Sequence, residues 1–139
     1  MNQSEVIARL NEHKPAFLDL LGGTVVNIDQ EQRICVFEFT VPLDYCHSGN
    51  IVQGGFVTAM LDAAMAHAVF GLDPTVTRLS SLEISTRFED ATQGLQPLTV
   101  TGRIRKLTHS IAFLDADIHT SAGSLTATAH SVAKVSRKA

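Results

Sequence analysis

At 139 residues and 15.0 kDa the chain suits one domain, 1–139, large enough to bury roughly two-thirds of the surface that its unfolded form exposes. Its 45% hydrophobic and 18% charged residues exclude a disordered or fibrous chain. A formal charge of -3 excludes a general electrostatic pull toward nucleic acid or an anionic membrane, so any anionic ligand must be held locally.

Ser4 is placed to cap a first helix on which Val6, Ile7 and Leu10 share a face, and Pro15 suits the first turn of a short continuation that Gly22 and Gly23 end. The first residues mix charges and lack an apolar run, so no export signal is read and a cytoplasmic location is expected. From Gly23 to Val41 the pattern is that of a hairpin. Thr24 to Ile28 forms one strand, Asp29 to Gln32 the turn, and Cys35, Phe37, Phe39 and Val41 alternate along the other. Pro42 to Asn50 reads as loop. Cys35 and Cys46 read as small buried hydrophobes rather than a disulfide.

Gly54 and Gly55 open a helix, FVTAMLDAAMAHAVFGL, that is apolar around nearly its whole circumference and is expected to be enclosed. Gly54 to Gly71 approaches bilayer-spanning length, but Asp62, His67 and the lack of flanking basic anchors favour a buried helix over a membrane span. Beyond Pro74, alternation returns at Leu82, Ile84, Thr86 and Phe88, at Leu98, Val100 and Ile104, from Ile111 to His119, and from Leu125 to Val135. Turns fall at Asp90 to Gly94, Thr108 to Ser110 and Thr120 to Gly123, which predicts a four-strand antiparallel meander. A curved sheet wrapped around one central helix, of class α+β, satisfies this order.

Asp62 is the strongest anomaly. An isolated carboxylate among Val57, Met60, Leu61, Ala63 and Met65 is costly unless it is paired, hydrogen-bonded or protonated, so it marks a candidate site. Thr58, one turn earlier on the same face, is placed to orient it. At the entrance of the same helix, Gln53-Gly54-Gly55 lets the backbone approach a ligand, while free N–H groups and the helix dipole favour an anion or a developing oxyanion. Together these put an oxyanion hole and a base or nucleophile on one rigid element, as acyl transfer requires. His13, His67, His109, His119 and His130 are scattered without metal-ligand spacing, so no metal is expected. His67, five residues beyond Asp62, is assigned to a different helical face and a structural role. Arg87, Arg103, Arg105, Lys106, Lys134, Arg137 and Lys138 are candidate cations for a phosphate-bearing ligand, although ordinary solvated strand faces explain them equally well.

The run from His47-Ser-Gly-Asn50-Ile-Val-Gln53-Gly-Gly to Leu61-Asp62-Ala-Ala resembles the signature of hot-dog thioesterases of the phenylacetate-degradation subfamily, whose members read Asn, then His-Gly-Gly, then Asp in a Leu-x-Asp-x-Ala setting. Leu82 to Ala91 is similar to that family's next strand, and Gly123-Ser-Leu-Thr-Ala to its final one. The resemblance implies an acyl-CoA hydrolase in which Asp62 attacks the thioester or activates water, the Gly54 N–H holds the oxyanion, and a Ser81 hydroxyl contributed across a dimer places the water. Gly55, Asn50 and Thr58 are expected on the substrate-binding surface. CoA is part of the substrate and no further cofactor is implied. The implied assembly is a homodimer or a dimer of dimers, with Asp62 supplied by the neighbouring subunit. Strict alternation groups Ser80 with Leu82 and Ile84 and sets Ser81 with Glu83 on the opposite face, yet the resemblance favours Ser81. Two positions depart from the family: Gln53 replaces His and cannot carry a proton, and His47 stands where the loop Asn is usual. A hot-dog hydratase or dehydratase, which needs a protonatable His beside the acyl chain, and a non-catalytic acyl-CoA-binding protein are the alternatives.

Overall fold

The computed structural model describes residues 1–139. Helix α1 (Gln3–His13) begins earlier than its Ser4 expectation, because Asn2 and Glu5 form a reciprocal capping box: the Asn2 side chain accepts from the Glu5 N–H at 2.9 Å and the Glu5 carboxylate from the Asn2 N–H at 3.3 Å. Pro15 precedes the short α2 (Ala16–Leu20), and Gly22 turns the chain at φ 75 into the hairpin of β1 (Gly23–Asp29) and β2 (Ile34–Phe39). Beyond a 3-10 turn (Leu43–Tyr45), the expected loop folds back on itself through the two-residue strands β3 (Cys46–His47) and β4 (Ile51–Val52). Helix α3 (Gly54–Leu72) follows, then β5 (Val76–Phe88), β6 (Leu98–Leu107), β7 (Ile111–Thr120) and β8 (Leu125–Arg137).

The six long strands form one antiparallel sheet in the order β1-β2-β6-β7-β8-β5. The four-strand meander is therefore wrong in one respect. Only β6, β7 and β8 follow one another, and β5 pairs with the last strand at the sheet edge. The Asp90 to Gly94 segment is a crossover rather than a tight turn. Hydrogen bonds from Val52 N–H to Thr92 O (2.8 Å), Gly94 N–H to Asn50 O (2.7 Å) and Leu95 N–H to Val41 O (2.9 Å) tie it to the loop before α3 as it passes from one side of the sheet to the other.

Helix α3 packs against all six of these strands, so the sheet wraps it in the hot-dog arrangement. Although long and apolar enough to cross a bilayer by length and composition, α3 is the centre of the core: Met60, Leu61, Ala64, Met65, Ala68 and Val69 are fully buried, together with Phe37, Phe39, Leu98, Val100 and Ile118 from the sheet. Small residues allow this enclosure. A Cβ on Gly102 of β6 would stand 2.2 Å from the backbone carbonyl carbon and oxygen of Ala64, so the helix rests directly on the strand backbone. Cys35 and Cys46 are both free.

Candidate active site

Strand β5 returns antiparallel along α3, and three contacts record its path. The space beside Gly54 is filled by Phe88, whose Cζ lies 3.2 Å from where a Cβ would stand. The hydroxyls of Thr58 and Thr86 are 2.9 Å apart, and the Ser81 hydroxyl donates to Asp62 Oδ1 at 3.3 Å. Strict alternation cannot place Ser81, Thr86 and Phe88 on one face, and the structure resolves this with a β-bulge. Ser81 pairs with Ala133 but Glu83 with Val132, so Leu82 is the extra residue and the parity of the strand resets behind it.

Asp62 is half-buried. Burial raises its pKa above the ordinary carboxylate range, and the hydrogen bond from Ser81 pulls it part of the way back. This partnership is formed within one chain, whereas the resemblance implied a serine contributed across a dimer. Thr58 does not orient the carboxylate as expected, because its hydroxyl is engaged by Thr86.

At the other end of the exposed stretch, Gln53 is the N-cap of α3. Its Oε1 accepts from the Gly55 N–H at 2.7 Å, and its backbone carbonyl takes the Phe56 and Val57 N–H groups at 2.9 and 3.1 Å. Gly55 is thus spent on the cap, and the Gln53 backbone N–H donates to the Tyr45 carbonyl at 3.0 Å, while the Gly54 N–H and the Gln53 side-chain Nε2 remain without a protein acceptor. The helix dipole adds positive potential there. His47, whose Nδ1 lies 3.1 Å from the Ser48 hydroxyl, shares with Gly54 a cavity of about 350 Å³ that Phe88 and Asp90 also line. Asn50 lies outside that lining and contributes its backbone carbonyl, which holds Gly94.

Asp62 opens into a different cavity, of about 480 Å³, a cleft between α1, α2 and α3 that Pro74 and Val76 also line. At the helical rise, the eight residues from Gly54 to Asp62 span about 12 Å. The two groups sit on one helix, as expected, but a single carbonyl cannot meet both within one chain. His67 was assigned to another face and belongs here as well: Asp62, Ala63, Ala66, His67 and Phe70 form one stripe along the cavity wall. An apolar stripe two positions wide, rather than a single i, i+4 row, was the pattern that pointed to it.

Three of the seven candidate cations are spent internally. Arg103 pairs with Asp117 at 2.6 Å and Asp115 at 3.3 Å, Arg105 with Asp115 at 3.1 Å, and Arg137 with Asp73 at 2.6 Å. Arg87, Lys106, Lys134 and Lys138 form no ion pair.

A sequence model of the thioesterase superfamily matches residues 49–127, which span both the Gly54 and the Asp62 positions. Among solved structures, the fold is similar to that of a phenylacetic acid degradation-related protein of Ralstonia eutropha JMP134 (TM-score 0.82, 23% identity, covering 94% of this chain and 99% of that one). It is similar also to the E. coli PaaI protein of the phenylacetic acid degradation operon (TM-score 0.82, 17% identity, covering 99% and 97%). A thioesterase protein of Streptococcus pneumoniae TIGR4, solved with coenzyme A, superposes with a TM-score of 0.77 at 16% identity, covering 88% of this chain and 92% of that one. At these identities the likeness is one of fold. No curated protein matches the sequence significantly.

Proposed function

Because this chain belongs to the thioesterase superfamily, we propose that it hydrolyses the thioester bond of an acyl-CoA, and that it does so as a homodimer joined through β5. The observation that carries this reading is Asp62: a carboxylate with a raised pKa, held by Ser81, facing an apolar cavity large enough for an acyl group. A carboxylate whose pKa has risen toward working pH is a better general base than an ordinary one.

The 12 Å gap supports this assembly. In β5, Ser81 stands beside Asp62 and Phe88 beside Gly54, and the outer edge of the strand has no partner in the sheet. An unpaired edge of this length invites pairing, and Leu82 and Phe88 are 62% and 56% exposed along it. Antiparallel pairing of two β5 strands about a two-fold axis near Ile84 sets the Gly54 end of each helix beside the Asp62 region of the other copy. The thioester carbonyl then lies at the Gly54 N–H, with the Gln53 side-chain Nε2 as a second donor and the helix dipole behind them. Asp62 of the other copy takes a proton from water, and the water oxygen adds to the carbonyl carbon. The tetrahedral intermediate collapses with cleavage of the C–S bond, and the departing CoA thiolate recovers the proton from Asp62. Gln53 supports this chemistry as a neutral donor, whereas hydration of an enoyl thioester asks position 53 for a proton that glutamine cannot supply.

Thiol release from a panel of acyl-CoA thioesters tests the proposal. The wild type is expected to turn over at least one of them, and Asp62→Asn to lose about 10²- to 10⁴-fold in kcat with its sedimentation unchanged. Unchanged turnover in Asp62→Asn overturns it.

A further inference from the structure

The cavity beside Asp62 carries one charge that nothing in the protein answers. Asp62 stands at its reacting end, and Leu10, Leu18, Ala63 and Ala66 make much of its wall apolar. His67 is held with its Nδ1 2.8 Å from the Ala63 carbonyl oxygen, and burial, assisted by the charge of Lys14, lowers its pKa, so this ring adds no charge to the wall. His13 lies exposed at the rim, and Lys14 is already paired with Asp19 at 3.1 Å. Arg9 differs from all of these. Its Nη2 donates to the Phe70 carbonyl at 3.1 Å, one of the last carbonyls of α3, which fixes the half-buried guanidinium at that end of the cavity. Phe70 lies eight residues beyond Asp62, so the two ends are about 12 Å apart along the helix axis. The bond to Phe70 occupies a single N–H of the guanidinium. No carboxylate pairs with it, and Glu5, one turn earlier on α1, accepts from the Asn2 N–H instead. A half-buried, unpaired cation at the end of a largely apolar cleft is costly unless a ligand supplies the anion.

We propose that the acyl group of the substrate lies along this cavity with a terminal carboxylate on Arg9, making Arg9 a specificity-determining residue for ω-carboxyacyl over unsubstituted acyl thioesters. The proposal rests on the thioester-hydrolase reading and adds the substrate class. A guanidinium has donors only and a permanent charge, and its planar fork matches the two oxygens of a carboxylate better than a single hydroxyl. The same charge disfavours an acyl ammonium group. With Asp62 at the carbonyl, the nucleotide of CoA departs on the sulfur side, so the anion that meets Arg9 belongs to the acyl group. The axial span of about 12 Å, less a contact of about 3 Å at each end, suits a chain of roughly six to ten carbons.

The test is a matched panel of acyl-CoAs of one chain length in that range, ending in a methyl, a hydroxyl, an ammonium or a carboxylate group. For the wild type, kcat/KM is expected to favour the carboxylate member over the plain one by at least about tenfold. In Arg9→Met, which keeps the apolar stem of the side chain and removes its charge, the carboxylate-to-plain ratio is expected to collapse toward one, mainly through KM, whatever happens to the overall rate. Arg9→Glu is expected to move the preference to the ammonium member. As a check that needs no variant at position 9, the free dicarboxylic acid is expected to inhibit the wild type at least about tenfold more strongly than the monocarboxylic acid of the same length. Equal kcat/KM for the carboxylate and plain members, a preference for the hydroxyl or ammonium member, or equal inhibition by the two acids overturns the proposal and leaves thioester hydrolysis standing. So does a ratio unchanged in Arg9→Met, including the uniform loss expected if Arg9 held the phosphates of CoA. Hydrolysis of no member of the panel overturns the parent reading, and this one with it.

Discussion

Replacing Gly102 with alanine drives a methyl group into the helix that carries Asp62. The added Cβ meets the Ala64 carbonyl carbon and oxygen at 2.2 Å and the Met65 nitrogen at 2.5 Å, where ordinary contact begins at 3.4 Å. These neighbours are backbone atoms, so no side chain can swing away. Relief requires α3 to retreat from β6 by about 1.2 Å, the difference between a 2.2 Å contact and an ordinary one at 3.4 Å. Overpacking of a dense core costs about 1–3 kcal/mol, and a clash with several backbone atoms belongs at the upper end. A loss of about 3 kcal/mol from a total of roughly 5–15 kcal/mol is severe and corresponds to a fall in Tm of about 10 °C. The same retreat draws Asp62 away from Ser81 and from the cavity, and a misplacement of about 1 Å costs on the order of a hundredfold in rate. Urea unfolding followed by circular dichroism, with thiol release measured on the folded fraction, gives both quantities. Stability within about 0.5 kcal/mol of wild type, together with full turnover, refutes the claim that the helix rests on the strand backbone.

Asp62→Asn is expected to raise Tm at pH 7 to 8. The folded carboxyl has a raised pKa, so its contribution favours the fold at low pH and is lost as pH rises through the folded value. The gain is therefore expected to disappear below about pH 4, where the unfolded carboxyl is also protonated, and a gain that persists at low pH counts against this account. Ser81→Ala removes the hydrogen bond that lowers the Asp62 pKa, so the acidic limb of the pH–rate profile is expected to move to higher pH; a limb that stays in place, or moves down, excludes that role. Gly54→Pro deletes the proposed oxyanion donor at the first helical position, where proline is tolerated, and Gln53 already has the extended conformation (φ -60, ψ 138) that a residue before proline requires. It is expected to lose about 10²- to 10³-fold in kcat with the helix intact by circular dichroism, and retention of full rate removes the Gly54 N–H from the mechanism.

The elements most legible in the sequence were those whose periodicity and punctuation agree. The hairpin from Gly23 to Val41 showed alternation around a polar turn, and α3 showed apolar residues around its whole circumference, so both lie where expected. What alternation cannot show is a change of phase. The bulge at Leu82 is one inserted residue in a strand that otherwise alternates on both sides of it, and only pairing with β8 locates it. Strand order was hidden for a related reason: the crossover from 89 to 97 has the composition of a turn, and its distinguishing bonds are to residues distant in sequence, Val41, Asn50 and Val52. Asp62 stood out because a charge on an apolar helix is costly wherever it lies. Its partner was less accessible to reasoning, since Thr58 is one turn away on the same helix whereas Ser81 arrives from the returning strand. His67 was placed on another face because a single row was assumed, while the cavity follows a wider stripe.

The central claim is that each site joins Gly54 of one copy to Asp62 of the other. Mixing Asp62→Asn with Gly54→Pro, by co-expression or co-refolding, tests it directly, because each variant alone lacks one half of both sites. A randomly assorted mixture contains heterodimers with one intact site each and is expected to recover about a quarter of wild-type thiol release. A mixture of verified heterodimers no more active than its two components contradicts the account.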